Sequence, residues 1–183
     1  MSRPQQKLSP VNAELFRRAC SQFATGVAIA TVPAGDGAPH GLTVNSFAAV
    51  SLEPPLVLIS IGDQCQALDH FRDGEFFALN ILAAGQEALS EAFARRMDNR
   101  FEDQAWFAGE TGAPLIPGVL ATMECRLVDV IRLGDHSVLV GEMVAASMAE
   151  GASDLHVTIL GAPRSCRILA APIWDPSGTR MRG

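Results

Sequence analysis

The chain reads as a mainly β fold with a few helices, an antiparallel barrel that is closed or split. Three observations lead there. β-rich runs follow one another through short turns, helical stretches stand singly between them, and a long strand pair meets at a tight turn near residue 134. Strand–helix–strand units are too few for a doubly wound sheet. At 183 residues, with 48 % hydrophobic and 19 % charged, the chain has the mass for one domain with a sizeable core and no compositional case for disorder.

Taken in order, the first element is a helix. Leu15, Phe16, Ala19, Cys20 and Phe23 recur on one face of a 3.6-residue period, Asn12 suits the N-cap and Glu14 the first turn. Gly26 ends it. Val27–Val32 is a strand closed by Pro33 and by the turn residues of 34–39. Gly41–Leu52 reads as a second strand run stopped by Glu53-Pro54-Pro55, and Leu56–Ile61 as a continuous apolar strand of the barrel interior. Residues 64–73 form a short helix, Glu75–Leu82 a strand, and Gly85–Met97 a helix with Leu89, Ala92, Phe93 and Arg96 at helical spacing. A loop covers 98–118. Val119–Arg132 and His136–Ala146 then pair across Leu133-Gly134-Asp135 as a hairpin. The organisation expected is a flexible N-terminal arm over 1–12, one domain over 13–150 and a diverged tail over 151–183, in which Val157–Leu160 forms a strand and 170–183 a mobile end.

Charge and motif counts remove whole classes. Net charge is −6, with one lysine against 13 arginines, which argues against a nucleic-acid or anionic-membrane surface. No apolar run is long enough to span a bilayer, and polar Met1–Lys7 reads as no secretory signal. Cys20, Cys65, Cys125 and Cys166 lie 40 or more residues apart, the pattern of reduced cytoplasmic thiols rather than of zinc knuckles or a disulfide scaffold. His40, His70, His136 and His156 show no metal-ligand spacing, so no metal is expected. Gly35-x-Gly37-x-x-His40 fails the dinucleotide fingerprint at its third glycine; there is no P-loop, no GxSxG and no HExxH.

Three polar features stand out from this background. In Gly41-Leu-Thr-Val-Asn-Ser-Phe47, small polar groups interrupt a strand otherwise suited to burial; each needs a partner, either neighbouring backbone or a ligand. Gly134-Asp-His136 places at a turn the one side chain that titrates near neutrality. Asp98-Asn-Arg-Phe101 closes the helix begun at Gly85, where an arginine complements the helix dipole or holds a phosphate.

Together and in this order these features resemble the short-chain flavin reductase family, the small reductase components of two-component flavin monooxygenases. The resemblance runs over about residues 13–146 through Phe16-Arg-Arg-Ala19, Phe23-Ala-Thr-Gly-Val27, Gly41–Ser46, Val50–Leu56, Phe76–Leu82, Asn99-Arg-Phe101, Gly112–Gly118, Glu124-Cys125, Gly134-Asp-His136 and Gly141-Glu142. It implies an FMN-binding split β-barrel, a homodimer, in which NADH or NADPH reduces bound FMN or FAD for a partner monooxygenase. By that likeness Thr43, Val44, Asn45 and Ser46 would line the isoalloxazine and ribityl chain, with Ser60 and Ile61 continuing the cradle. Asn80, Arg100 and Phe101 would lie on the ribityl-phosphate side, and His136 would face the nicotinamide as the catalytic residue. The residue types suit a flat ring that needs apolar walls and a few oriented polar groups; ring-to-ring hydride transfer needs no protein nucleophile.

Two departures are visible. Where the family carries Ser-x-Thr hydroxyls for the flavin phosphate, this chain has Cys65-Gln66-Ala67, leaving phosphate to backbone N–H groups. The segment 151–183 lacks the family's aromatic ending. A flavin-binding carrier without turnover is the alternative, distinguished by flavin binding without NADH oxidation.

Overall fold

In the computed structural model, residues 10–95 and 100–150 are described in full, together with the backbone of strands 154–159 and 162–167. The expectations for the arm over 1–9, for Arg96–Asn99 and for the chain end over 170–183 lie outside the described residues.

Helix α1 (Ala13–Cys20) starts where predicted, with the Asn12 side chain accepting from Leu15 N–H at 2.8 Å. Its apolar stripe does not reach the core. Leu15 and Phe16 are 56 % and 62 % exposed, because the barrel does not fold back over this helix.

Seven antiparallel strands form the main sheet: β2 (Ala28–Pro33), β3 (Pro39–Val44), β4 (Ala48–Leu52), β5 (Pro55–Gly62), β6 (Phe76–Ile81), β9 (Ala121–Leu133) and β10 (His136–Met148). The spatial order is β3-β2-β6-β9-β10-β5-β4. The run Gly41–Leu52, expected as one strand, is therefore two. β3 pairs with β2 at one end of the sheet and β4 with β5 at the other, and residues 45–47 carry the chain across. β3 also packs near β5, so the sheet curls into a barrel left open along this seam, the split form. The polar interruption of the sequence is this crossing.

Core packing follows the period of two. Ala28, Ala30 and Val32, with Val57, Ile59 and Ile61, Phe77 and Leu79, Cys125 and Leu139, fill the barrel interior. The opposite face of β2 presents Val27 and Ile29 to a second cluster with Leu82, Phe93, Phe101, Ile116 and Val119. Covered on both sides, β2 is apolar without alternation, as a doubly packed strand must be. β5 alternates instead, because only 57, 59 and 61 point inward.

Helix α2 (Leu68–Asp73) is shorter than predicted, since 63–67 is turn, and α3 (Glu87–Ala94) packs on β3 and β2. Within the expected loop of 98–118, β7 (Phe107–Ala108) and β8 (Pro114–Leu115) form a small hairpin. The buried Glu124 carboxylate ties that hairpin down by accepting from Glu110 N–H at 3.0 Å and Thr111 N–H at 2.7 Å. Finally, β11 (Asp154–Ile159) and β12 (Ala162–Arg167) form a hairpin joined to β1 (Thr25–Gly26). The segment beginning at 151 thus contributes a second sheet to the domain.

Candidate functional site

A groove runs between β3, the turn after β5, the end of α3 and the Arg100-Phe101 pair. Its larger part, about 350 Å³, is lined by Leu42, Thr43, Gly62, Gln64, Cys65, Gln66, Phe93, Ala94 and Arg100. A smaller recess of about 200 Å³ is lined by Pro39, His40, Gly41, Gln66, Ala67, His70, Arg100 and Phe101. Gln66 and Arg100 line both, so the two adjoin, and none of these lining residues is acidic.

Local folding explains how these side chains converge. Thr43 donates its hydroxyl to Ser90 C=O on α3 at 2.6 Å, which fixes the wall between strand and helix. Arg100 reaches back to Gly41 C=O at 2.7 Å and to Arg95 C=O through Nε at 2.9 Å. Beside it Phe101 is buried edge-on against Phe93, 4.9 Å between ring centres, and anchors the arginine. His40 on β3 and His70 on α2 stack with centroids 3.9 Å apart. Burial holds the His40 imidazole below its ordinary value; the His70 and Arg100 charges push the same way, and Asp36 opposes them.

Register brings His136 to the same place. β10 pairs with β5 so that His136 stands opposite Gly62, and a Cβ added at Gly62 would lie 3.6 Å from His136 Nε2. His136 Nδ1 lies 2.7 Å from Asp135 Oδ1, an exposed carboxyl held below its usual range first by that hydrogen bond. Asp63 moors this turn. It accepts from Ser137 Oγ at 2.9 Å and from Arg132 Nε at 3.1 Å, while its own N–H donates to Asp135 C=O at 2.9 Å.

Of the residues expected from the sequence, Thr43, Cys65, Gln66, Ala67, Arg100 and Phe101 line the groove, and His136 stands at its rim beside Gly62. Ser46 and Ser60 bond to each other along the seam, Ser46 Oγ accepting from Ser60 N–H at 2.9 Å. Val44 and Ile61 point into the barrel core, so only their backbone can meet a ligand. Asn45 is exposed in the crossing segment. Asn80 is elsewhere. It is fully buried, donating to Ile29 C=O at 3.1 Å and Thr31 Oγ1 at 3.2 Å and accepting from Ile116 N–H at 2.8 Å, a core bracket rather than a groove wall. Sequence reasoning missed His40, His70, Gln64 and Phe93. Phe93 was legible only as an apolar helix position, and the stacking of His40 on His70 depends on α2 folding against β2 and β3.

Comparison with known proteins bears on this geometry. The family model described as flavin reductase like domain matches residues 20–161. The chain belongs to that family. It is 41 % identical over 140 residues to an NADH-dependent FMN reductase of Agrobacterium fabrum, covering 76 % of this chain and 79 % of that one. It is 43 % identical over 128 residues to the reductase component of a flavin-dependent trigonelline monooxygenase of Acinetobacter baylyi, covering 70 % of this chain but only 41 % of the relative. Among solved structures, an NADH:FAD oxidoreductase of Streptomyces globisporus, held with NAD and FAD fragments, superposes with a TM-score of 0.79 at 34 % identity, over 93 % of this chain and 99 % of that one.

A flavin reductase must hold a planar tricyclic ring with a polar edge and an anionic tail. The groove fits on its own chemistry: Leu42, Phe93 and Phe101 give apolar walls, Thr43, Gln64 and Gln66 give edge contacts, and Arg100 gives the positive end. Its joined volumes fall within the ordinary range for nucleotide-sized ligands, roughly 300–1,000 Å³.

Proposed function

We propose that this protein is an NADH-dependent flavin reductase of the NAD(P)H:flavin oxidoreductase class, supplying reduced FMN or FAD to a partner monooxygenase. The observation that carries the reading is the pair of adjoining cavities from Thr43 to His70, free of acidic lining and bordered by Gly41–Thr43 and Arg100-Phe101, segments the family resemblance singles out. The bound flavin supplies the two-electron acceptor for a hydride from the nicotinamide. The chain's own contribution is placement. Leu42 and Phe93 would wall a planar guest, Thr43 and the Gln64–Gln66 turn would bond its polar edge, and Arg100 would hold its anionic tail. His136 stands at the open rim beside Gly62, where a nicotinamide ring would enter, with Asp135 orienting its imidazole through Nδ1.

The working unit in this reading is a homodimer in the cytoplasm, where reduced nicotinamide is available. The support for a dimer is the apolar surface left bare by one copy: Leu15, Phe16 and Phe23 at the N-terminal end, and Val128, Ile131, Val144 and Met148 on the exposed side of β9 and β10. Among the described residues no helix is long and apolar enough to cross a membrane.

The test is anaerobic oxidation of NADH and NADPH, followed by absorbance, with FMN, with FAD and with no flavin. Flavin-dependent NADH oxidation is the expected result. Flavin binding with no oxidation would leave a carrier instead.

A further inference from the structure

A second hollow lies between the β7–β8 hairpin and the far end of β10, and it shares no lining residue with the flavin groove. Two adjoining cavities of about 410 and 230 Å³ make it, both bordered by Phe107, Leu115, Thr122 and Ser147. Strand alternation turns Thr122 and Glu124 to this face, because Met123 and Cys125 pack on the barrel core. Thr122 is 8 % exposed, and among the described residues its hydroxyl has no hydrogen-bond partner. Asn80, its neighbour in register on β6, spends its amide hydrogens on Ile29 C=O and Thr31 Oγ1 and its oxygen on Ile116 N–H. A hydroxyl this buried costs free energy until something bonds it. Glu124, 4 % exposed, borders the larger cavity. Its carboxylate accepts Glu110 N–H on Oε1 at 3.0 Å, and Thr111 N–H and Oγ1 on Oε2 at 2.7 and 2.5 Å. All three donors are neutral. The two oxygens of a carboxylate offer about four acceptor sites, so one remains on Oε1. Glu110 also lines the larger cavity, and no Lys, Arg or His lines either one.

We propose that this hollow is a binding site for a small organic cation, a ring-sized apolar body carrying one ammonium group. Glu124 Oε1 takes the ammonium, the Thr122 hydroxyl gives a second polar contact, and Phe107, Leu115 and Ala145 wall the body. A buried carboxylate held only by neutral dipoles lacks a counter-charge, and an ammonium supplies it. The half-exposed Phe107 ring suits a flat or cationic guest. Two carboxylates with no basic neighbour in the lining repel a phosphate, so a second nucleotide is excluded. The flavin groove has the opposite character, with Arg100 in its lining and no acid. The cation site does not rest on the flavin reading.

The experiment is titration of the isotope-labelled full chain with 2-phenylethylammonium, 2-phenylethanol and 3-phenylpropionate at neutral pH, read from backbone amide shifts with and without FMN. The amine is expected to give saturable shifts at Thr111, Thr122, Glu124 and Ser147 that FMN leaves unchanged. The alcohol should bind roughly tenfold more weakly, as the loss of one charge-assisted contact implies, and the carboxylate should not bind. Glu124→Gln removes the preference for amine over alcohol, and Thr122→Val, which keeps the shape of the wall, weakens the amine. Ala145→Leu fills the larger cavity from β10 and abolishes binding, so the proposal stays testable if Glu124→Gln folds poorly. Equal affinity for the three probes overturns it, as do amine shifts that FMN displaces or that survive Ala145→Leu. No saturable shift at about 10 mM amine, beyond the weak end of specific binding, overturns it as well. Flavin-dependent NADH oxidation is assayed separately, so failure of the cation site and failure of the flavin reading are read from different signals.

Discussion

His136 and Asn80 illustrate two fates of polar residues that the sequence singles out. His136 stands at the groove rim, so His136→Ala should slow reduction by NADH by roughly tenfold or more while flavin affinity changes little, as expected for a residue that orients the donor ring. Stopped-flow reduction alongside flavin titration checks this, and equal rates would remove His136 from the site. Asn80 instead holds the core together. Asn80→Leu leaves the Ile116 N–H buried and unpaired, at about 1–3 kcal/mol, which urea unfolding will read. The family resemblance pointed to both residues; only the pairing of β2, β6 and the segment after β8 decides which one faces a ligand. Cys125 gives a pH signature. Burial, with Glu124 beside it, pushes its thiol up to about 12 from 9.0. The folded state therefore keeps the thiol neutral where the unfolded chain ionises. Stability is intact below about pH 9 and is lost progressively as pH rises toward 12. With no tyrosine and one lysine, few other groups blur this window. A urea midpoint that falls across it in wild type, with a shallower slope in Cys125→Ala, is the expected pattern.

Turns and crossings, at the scale of elements, do most of the positioning. The β9–β10 turn is held over the groove by Asp63, so Asp63→Ala should cost about 1–2 kcal/mol through the lost Ser137 and Arg132 bonds. It should also speed amide exchange at Asp135–Ser137 and raise the KM for NADH more than that for flavin. Gly141 marks a close approach: an added Cβ would meet Phe77 Cζ at 2.5 Å and Cys125 Cβ at 2.8 Å. Gly141→Ala is accordingly expected to destabilise by about 1–3 kcal/mol, measured by thermal unfolding. The strand character of β2 and β5 follows from local pattern, although Leu56–Ile61 read as continuously interior and alternates instead, and Asn12 marks the start of α1 as read. The break at 45–47 was not legible, because a strand leaving one sheet edge for the other keeps the same apolar–polar rhythm on both sides. Only pairing partners distinguish one long strand from two.

For the molecule as a whole, the barrel is a scaffold whose seam and rim carry the groove while the exposed side of β9 and β10 keeps bare apolar residues. The stripe on α1 was read as one apolar helix face; within one copy it is bare, and its periodicity says only that something apolar covers it. The account expects that cover to be a second copy. Sedimentation equilibrium should give about twice the 19.4 kDa of the chain. Phe16→Glu or Val144→Glu, which place a charge on that surface, should shift the mass toward one copy. The family and the split barrel were readable because many short motifs keep their order along the chain, whereas the partnership of His40 with His70 needs the folded groove.

The central claim is that a flavin ring lies between β3 and the Gln64–Ala67 turn, with its phosphate toward Arg100. The most direct measurement is a crystal structure of the protein grown with FMN. The account predicts tricyclic density against Leu42, Thr43 and Phe93, with phosphate beside Arg100. Density for FMN bound elsewhere, with this groove closed by the protein's own side chains, would contradict it.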